Sequence, residues 1–313
     1  EIFAEAFGND TLNQMEDAAV LSEKISGKLT VTTDSFVVTP LEFRGGDIGR
    51  LAVCGTVNDL LMRGAVPKYL TCGWILEEGI SKELLQRMAK SMAETAKEAG
   101  VQIIAGDTKV IENGKGREGG IYINTAGVGF VPDGVDISAG NAEKGDVILV
   151  SGTMGEHHAA ILSERMKIEN EIRSDTAPLT EMVGKLRGLP VHTLRDVTRG
   201  GLATVCKELA LASKKTFLIK SALIPVKNEV KDFCGLLGLD ALYMGNEGKL
   251  VCVVEKGSER KALEAMKSSK YGENAAIIGE VTEEKPGALL METEIGGRRE
   301  LDILQGEGLP RIC

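Results

Sequence analysis

In Gly45-Gly-Asp-Ile-Gly-Arg-Leu-Ala-Val-Cys-Gly-Thr-Val-Asn-Asp59 an apolar helix carries two polar residues that a plain core helix would not need. Leu51, Cys54, Val57, Leu60 and Leu61 recur at helical spacing, so the segment from Asp47 to Ala65 is predicted as a helix, stopped by Gly64 and Pro67. Asn58 and Asp59 lie inside it, and an unpaired carboxylate on such a face is costly. Working outward, residues 28–34 alternate like a strand that closes on Asp34. Ser81 caps a second helix, with Leu84, Leu85, Met88, Met92 and Ala96 on one face and Gly100 after it. Val101 to Ala105 reads as a short buried strand that stops at Gly106-Asp-Thr-Lys109, and Ile121 to Phe130 as another strand.

The chain has 313 residues, near the upper limit of one core, so two domains are expected. The composition breaks at Pro132-Asp-Gly-Val-Asp-Ile-Ser-Ala-Gly140. We expect an N-terminal domain over 1–138, a C-terminal domain over 139–300 and a flexible tail over 301–313. In the second half, strands are predicted at 147–151, 249–255 and 275–281, and helices through Arg165, at 177–187, 202–213 and 258–267. A pair of edge strands is predicted within 288–303. The fold class is therefore mixed α/β (α+β).

The bulk numbers exclude some functions. Net charge is −9 and aromatics are 4%, which argues against a nucleic-acid binder and against an anionic membrane surface. The sequence has no apolar run long enough for a transmembrane helix and no signal-peptide pattern. The six cysteines form no CxxC pair, so a reduced, cytoplasmic setting is expected, with Cys54, Cys206, Cys234 and Cys252 as core fillers. Cys313 does not fit that description. It is the last residue of Gly306-Glu-Gly-Leu-Pro-Arg-Ile-Cys313, and the stretch reads either as a movable arm tipped by a thiol or as a frayed end.

Three groups of residues carry chemistry. Asp17, Asp34, Asp59 and Asp107 suit Mg²⁺, a hard ion that takes carboxylates plus nucleotide phosphates; each reads also as a turn or capping aspartate. Gly106-Asp-Thr-Lys109, Ser151-Gly-Thr-Met-Gly155 and Asp196-Val-Thr-Arg-Gly-Gly201 read as phosphate loops or as ordinary turns, and none is a Walker A loop. Glu247 in Gly245-Asn-Glu-Gly248 reads as a general base or as a turn residue. His157, after Gly155-Glu156, reads as a phosphate-orienting or a capping group.

Taken together and in order, these segments resemble the PurM-like ATP-binding superfamily and, within it, the HypE family of hydrogenase maturation factors. The residues that carry the resemblance are Thr32-Thr-Asp-Ser-Phe-Val-Val-Thr-Pro40, Gly45 to Asp59, Gly106-Asp-Thr-Lys-Val110, Asp196 to Gly201, Gly245 to Gly248 and Pro310-Arg-Ile-Cys313. It implies a PurM-like fold whose N-terminal half-barrel sheet pairs in a homodimer, with a C-terminal sheet backed by helices and ATP between the domains. It implies a carbamoyl dehydratase that uses ATP and Mg²⁺ to convert a thiocarboxamide on Cys313 into a thiocyanate. The implied partners are the carbamoyltransferase HypF and the HypC–HypD iron-carrier complex. By motif position, Asp34, Asp59 and Asp107 are metal carriers, with Asp17 a fourth candidate. Lys109 holds phosphate or polarises the carbamoyl oxygen, and Glu247 is the base. Asn58, Thr108, Asn246, Thr198, Arg199, Gly200 and His157 line the nucleotide side. The family also implies a His- and Gly-rich segment ahead of Glu1, which is not an initiator Met. Two other readings stay open at this point: another PurM-type synthetase or kinase acting on a free substrate, and a maturation scaffold without catalysis.

Overall fold

The computed structural model describes residues 2–14, 18–21, 26–113 and 120–304. Asp17 and Cys313 lie outside the described residues. The N-terminal part runs α1 (Ile2–Phe7), β1 (Lys28–Phe36), β2 (Glu42–Phe43), β3 (Gly46–Asp47), α2 (Ile48–Leu61), β4 (Val66–Glu77), α3 (Lys82–Ala99), β5 (Gln102–Ile111) and β6 (Ile121–Val131). Its sheet has the order β1-β6-β4-β5, with β4 and β5 parallel and the other pairs antiparallel. One face is covered by α2 and α3. The other presents Leu29, Val31 and Ile75, which are 58%, 62% and 43% exposed.

The second part comprises β7 (Val147–Val150), α4 (Glu156–Met166), α5 (Thr180–Leu186), β8 (Val191–Asp196), α6 (Gly201–Ser213), β9 (Thr216–Lys220), α7 (Asn228–Leu237), β10 (Leu250–Val254), α8 (Glu259–Lys267), β11 (Ala276–Thr282), β12 (Leu289–Glu292) and β13 (Arg298–Leu301). They build a seven-stranded sheet in the order β13-β12-β9-β11-β7-β10-β8. Alternation along β7 and β10 feeds two cores. Ile148, Val150, Val251 and Val253 pack with Leu202, Val205 and Leu209 of α6. Leu149, Cys252 and Val254 join a core that runs on through Leu51, Val57 and Leu61 of α2. The two sheets therefore share one apolar interior. Every cysteine among the described residues is buried and free, as core fillers are.

The sequence accounts for α2 and α3 well. The Asp47 side chain caps α2 by accepting from the Arg50 N–H at 2.9 Å, and Ser91 Oγ donates to its other oxygen at 2.6 Å. Ser81 caps α3, which ends on Gly100 in the left-handed region. Helix α2 is buried on nearly every side, because it lies between its own sheet and the second part of the chain.

Several expectations need correction. β4, the longest strand, is not evident in the sequence, because Pro67 reads as a stop. The ladder tolerates it at the strand's start, where the register to β6 shifts between Pro67 and Tyr69. β5 does not stop at Ala105, and its parallel ladder with β4 continues through Asp107 and Lys109 to Ile111. β1 likewise runs past Asp34 to Phe36. β8, β9 and α7 are further elements that the sequence reading lacks, and the helix expected from Ala177 begins at Thr180. Among the described residues no helix is long and apolar enough to cross a membrane.

The segment Ser174–Leu179 joins the two parts. Asn58 Nδ2 donates to the Ala177 carbonyl at 3.0 Å, and Asn58 Oδ1 accepts from the Leu179 N–H at 2.9 Å. Arg50 Nε donates to the Thr176 carbonyl at 2.9 Å. Replacing Asn58 with Ala leaves a buried C=O and a buried N–H unpaired, so Asn58→Ala is expected to cost on the order of 2–4 kcal/mol. Urea unfolding should show a lower midpoint with an unchanged slope.

Candidate active site

The site is assembled where β1, α2, the β8–α6 loop and the loop before β10 meet. β1 brings Asp34, and α2 brings Asp59, whose Oδ2 accepts from Thr32 Oγ1 at 3.1 Å. β8 ends on Asp196, whose carboxylate is hydrogen-bonded by Thr198. The turn Thr198-Arg-Gly-Gly201 then starts α6. Gly200 and Gly201 have φ of +79° and +65°, and a Cβ on Gly201 would lie 2.5 Å from the Leu242 carbonyl. No side chain caps α6; its Gly201 N–H turns back to the Thr198 carbonyl at 3.0 Å, and the positive end of the helix dipole lies at this turn. Arg199 is exposed at the same turn. Glu247 arrives on the loop before β10, its N–H donating to Asp175 Oδ1 at 3.2 Å.

These carboxylates sit close enough to disturb one another. Burial raises the Asp34 carboxyl despite the Ser35 N–H and the charge of Arg199. Burial, with the charge of Asp196 next, lifts Asp59 to about 6. Burial raises Asp196. Glu247 is pushed well above the usual carboxylate range by burial and then by Asp175, Asp196, Asp34 and Asp59. A negative cluster beside an uncapped helix N-terminus suits a cation and phosphate oxygens. Among the described residues, no three His, Cys, Asp or Glu side chains are set to enclose a metal alone. Mg²⁺ does not need that, since it takes one or two carboxylates and completes its shell with phosphates and water. The residues thus fit a nucleotide with its cation.

The structure separates other candidates from this corner. Asp107 lies on the far edge strand, three strands from Asp34, which is about 14 Å at ordinary strand spacing. It projects from the opposite sheet face, pairs with Lys109 Nζ at 2.6 Å, and is held low by that bond. Within one chain the trio Asp34, Asp59 and Asp107 therefore does not converge, and Asp196 stands where the third carboxylate was expected. Thr108 lies on the same edge strand as Asp107. His157 is 1% exposed, stacks edge-on with Phe43 and shares a proton with Ser174 Oγ at 2.8 Å. Burial lowers it to about 4, so it is a neutral core imidazole without access to phosphate. The loop Ser151-Gly155 is buried throughout and serves as an internal connection.

Asn246 is buried, with Oδ1 accepting from the Gly155 N–H at 2.8 Å and Nδ2 donating to the Val197 and Met244 carbonyls at 3.2 Å. Like Asn58, it ties loops together. A cleft of about 620 Å³ between residues 132–137 and 183–194 contains none of the clustered carboxylates. Asp196, Asp175 and Lys249 are absent from the sequence-based candidates. Asp196 opens a quoted motif and was legible there. Asp175 has no local signal, since it follows Arg173 and Ser174 in an ordinary polar stretch and meets Glu247 and Lys249 only in the folded chain.

Comparison with known proteins fits this geometry. The family described as AIR synthase related protein, N-terminal domain, matches residues 15–131, and its C-terminal counterpart matches 143–292. The carbamoyl dehydratase HypE of Cupriavidus necator is 47% identical across 100% of this chain and 90% of its own length. The chain belongs to the HypE family of carbamoyl dehydratases. A solved structure of hydrogenase maturation protein HypE in complex with ATP superposes with a TM-score of 0.94 at 43% identity, covering 99% of this chain and 94% of that one. A HypE–HypF complex gives 0.85 at 48% identity, covering 97% and 98%. The two-domain PurM-like architecture expected for this family is the one observed.

The cluster carries a stability signature. Asp59 ionises near 6 when folded and near 3.8 when unfolded, so folding favours its protonated form. Stability from this group is therefore lost as pH rises from about 4 to about 6. Asp59→Asn keeps an acceptor for Thr32 and removes the charge. It is expected to stabilise the ligand-free protein at pH 7 by on the order of 1–3 kcal/mol and to flatten the fall in melting temperature between pH 4 and 6. Scanning calorimetry across that range checks this.

Proposed function

We propose that this chain carries out the ATP-dependent dehydration of a carbamoyl group borne on Cys313, giving the thiocyanate that supplies cyanide ligands to the iron of a [NiFe]-hydrogenase. The observation that carries the reading is the position of Glu247. It is a largely buried carboxyl of raised proton affinity, facing Asp34, Asp59 and Asp196 beside the open end of α6.

Dehydration of S–C(=O)–NH2 to S–C≡N removes the oxygen and two nitrogen protons. ATP with Mg²⁺, when bound, supplies the phosphoryl group that turns the carbamoyl oxygen into a leaving group, and that oxygen ends in inorganic phosphate. Asp34, Asp59 and Asp196 would hold the cation. The N–H groups at the start of α6, with Thr198, Arg199 and Gly200, would hold phosphate oxygens. Glu247 takes one proton from nitrogen, and the departing phosphate carries away the other. The tail starts well placed for this. Leu304 N–H donates to Thr204 Oγ1 at 3.2 Å in the first turn of α6, and Tyr243 Oη donates to the Asp302 carbonyl at 3.1 Å. The nine residues after Leu304 can span up to about 30 Å.

A carbamoyltransferase of the HypF kind loads Cys313, in keeping with the solved HypE–HypF complex of a 48% identical relative. The HypC–HypD complex receives the product. Lys109 and Asp107 reach the chemistry from a second copy. The exposed apolar sheet face that carries Leu29, Val31 and Ile75 fits a homodimer, and Lys109 lies on that face.

Mass spectrometry of the C-terminal peptide after carbamoylation and Mg-ATP tests the reaction. Cys313→Ala should give no carbamoylated or cyanated peptide while binding ATP normally. Glu247→Gln should accumulate carbamoylated peptide and little cyanated peptide; cyanation of this variant at the wild-type rate would exclude Glu247 as the base. The role across two copies has its own check. Lys109→Ala and Glu247→Gln chains, each inactive alone, should recover part of the activity when mixed, unfolded and refolded together. No recovery would place Lys109 in its own chain's site.

A further inference from the structure

Ser174–Leu179 has no regular secondary structure, yet its backbone is fixed at almost every residue. Ser174 N–H donates to the Arg44 carbonyl at 2.7 Å, and Arg50 and Asn58 hold the carbonyls of Thr176 and Ala177. Ser174 Oγ contacts His157 Nδ1 at 2.8 Å and Thr176 Oγ1 at 2.6 Å. A loop this tightly held presents the one charge it carries, Asp175, in a single place.

That place is against Glu247. Asp175 Oδ1 accepts the Glu247 N–H at 3.2 Å, and the Glu247 carbonyl accepts the Ala177 N–H at 3.3 Å, so the two segments grip each other from both sides. The approach is closer than a side chain allows: a Cβ on Gly248 would lie 2.0 Å from the Asp175 carbonyl oxygen. The second carboxylate oxygen, Oδ2, is buried and makes no hydrogen bond. Lys249 Nζ lies 3.4 Å from it, and the two side chains are only 2% and 10% exposed. The Lys249 stem packs over Gly152, where a Cβ would come within 3.0 Å of Cε.

A buried ion pair is seldom a net gain in stability over apolar residues of the same volume. What this pair does provide is a carboxylate fixed in one place behind Glu247, with Lys249 Nζ 3.4 Å from its second oxygen. We propose that Asp175, held by its buried pair with Lys249, is a positioning residue for Glu247, fixing the loop that carries it and the direction in which its carboxyl points. The inference rests on the reading of Glu247 as the base. The charge of Asp175 is also, after burial, the first of the influences on Glu247, as its closeness requires.

The experiment uses the full chain, carbamoylated on Cys313 by its carbamoyltransferase, in Asp175→Asn, Asp175→Ala and Glu247→Gln forms. Three quantities are measured: the single-turnover rate of cyanation on adding Mg-ATP, ATP affinity by calorimetry, and amide hydrogen exchange across 245–248. In Asp175→Asn the amide oxygen still accepts from Glu247 but the charge is gone. Its cyanation should slow at least about tenfold, with ATP affinity within about twofold of wild type and Glu247 still protected from exchange. In Asp175→Ala cyanation should slow as much, and exchange at Glu247 should accelerate. A full cyanation rate in Asp175→Asn, or equal losses of rate and ATP affinity, would overturn the inference, as would unchanged exchange in Asp175→Ala. Glu247→Gln keeps the two failures apart. If it is inactive while Asp175→Asn runs at full rate, only Asp175 is misassigned. If it runs at full rate itself, the base assignment fails first.

Discussion

One side-chain amide holds the two halves in register. Asn58 gives a proton to the Ala177 carbonyl and accepts one from Leu179. The next residue along the same helix is Asp59, so the bond that docks the second part of the chain also fixes the distance from Asp59 to Asp196 and Glu247. The shared apolar core supplies most of the adhesion. Nondirectional adhesion would tolerate sliding, whereas an amide satisfied at both ends would not. Asn246 does the same for the loops, tying Gly155, Val197 and Met244 around the carboxyl-bearing turn.

This explains why the polar residues of the quoted motifs divide into two kinds. Asn58, Asn246 and His157 are buried with their partners inside the protein, and they build the frame. Asp34, Asp59, Asp196 and Glu247 face one another, and their mutual repulsion is retained at a cost in stability. A fold optimised for stability alone would have neutralised some of them. The excess negative charge is intelligible as a site that waits for positive charge.

The sequence revealed this unevenly. α2 and α3 were legible because periodicity, caps and stop residues agree. β4 was not, since Pro67 argues against a strand and only the bulge beside it permits one. Asp34, Asp59 and Glu247 were legible as motif residues. That Asp107 and Lys109 stand on the other face of the sheet was not, because β5 continues beyond the glycine that suggested its end. Asp175 was hidden for another reason. Its environment is built from Arg44, Arg50, Asn58 and Lys249, which are distant in sequence and converge only through the packing of two domains.

The hold of Thr204 and Tyr243 on residues 302–304 has a kinetic meaning. On the proposed reading, the reacting group belongs to the same covalent chain as the groups that act on it. Encounter between them does not depend on protein concentration, and dilution leaves the step unaffected. No recognition surface for a free carbamoyl compound is needed. Each chain makes one product and then stops until that product is taken away. Throughput is then governed by how fast partner proteins reload and unload the chain, and the protein behaves as a carrier that transforms its own cargo.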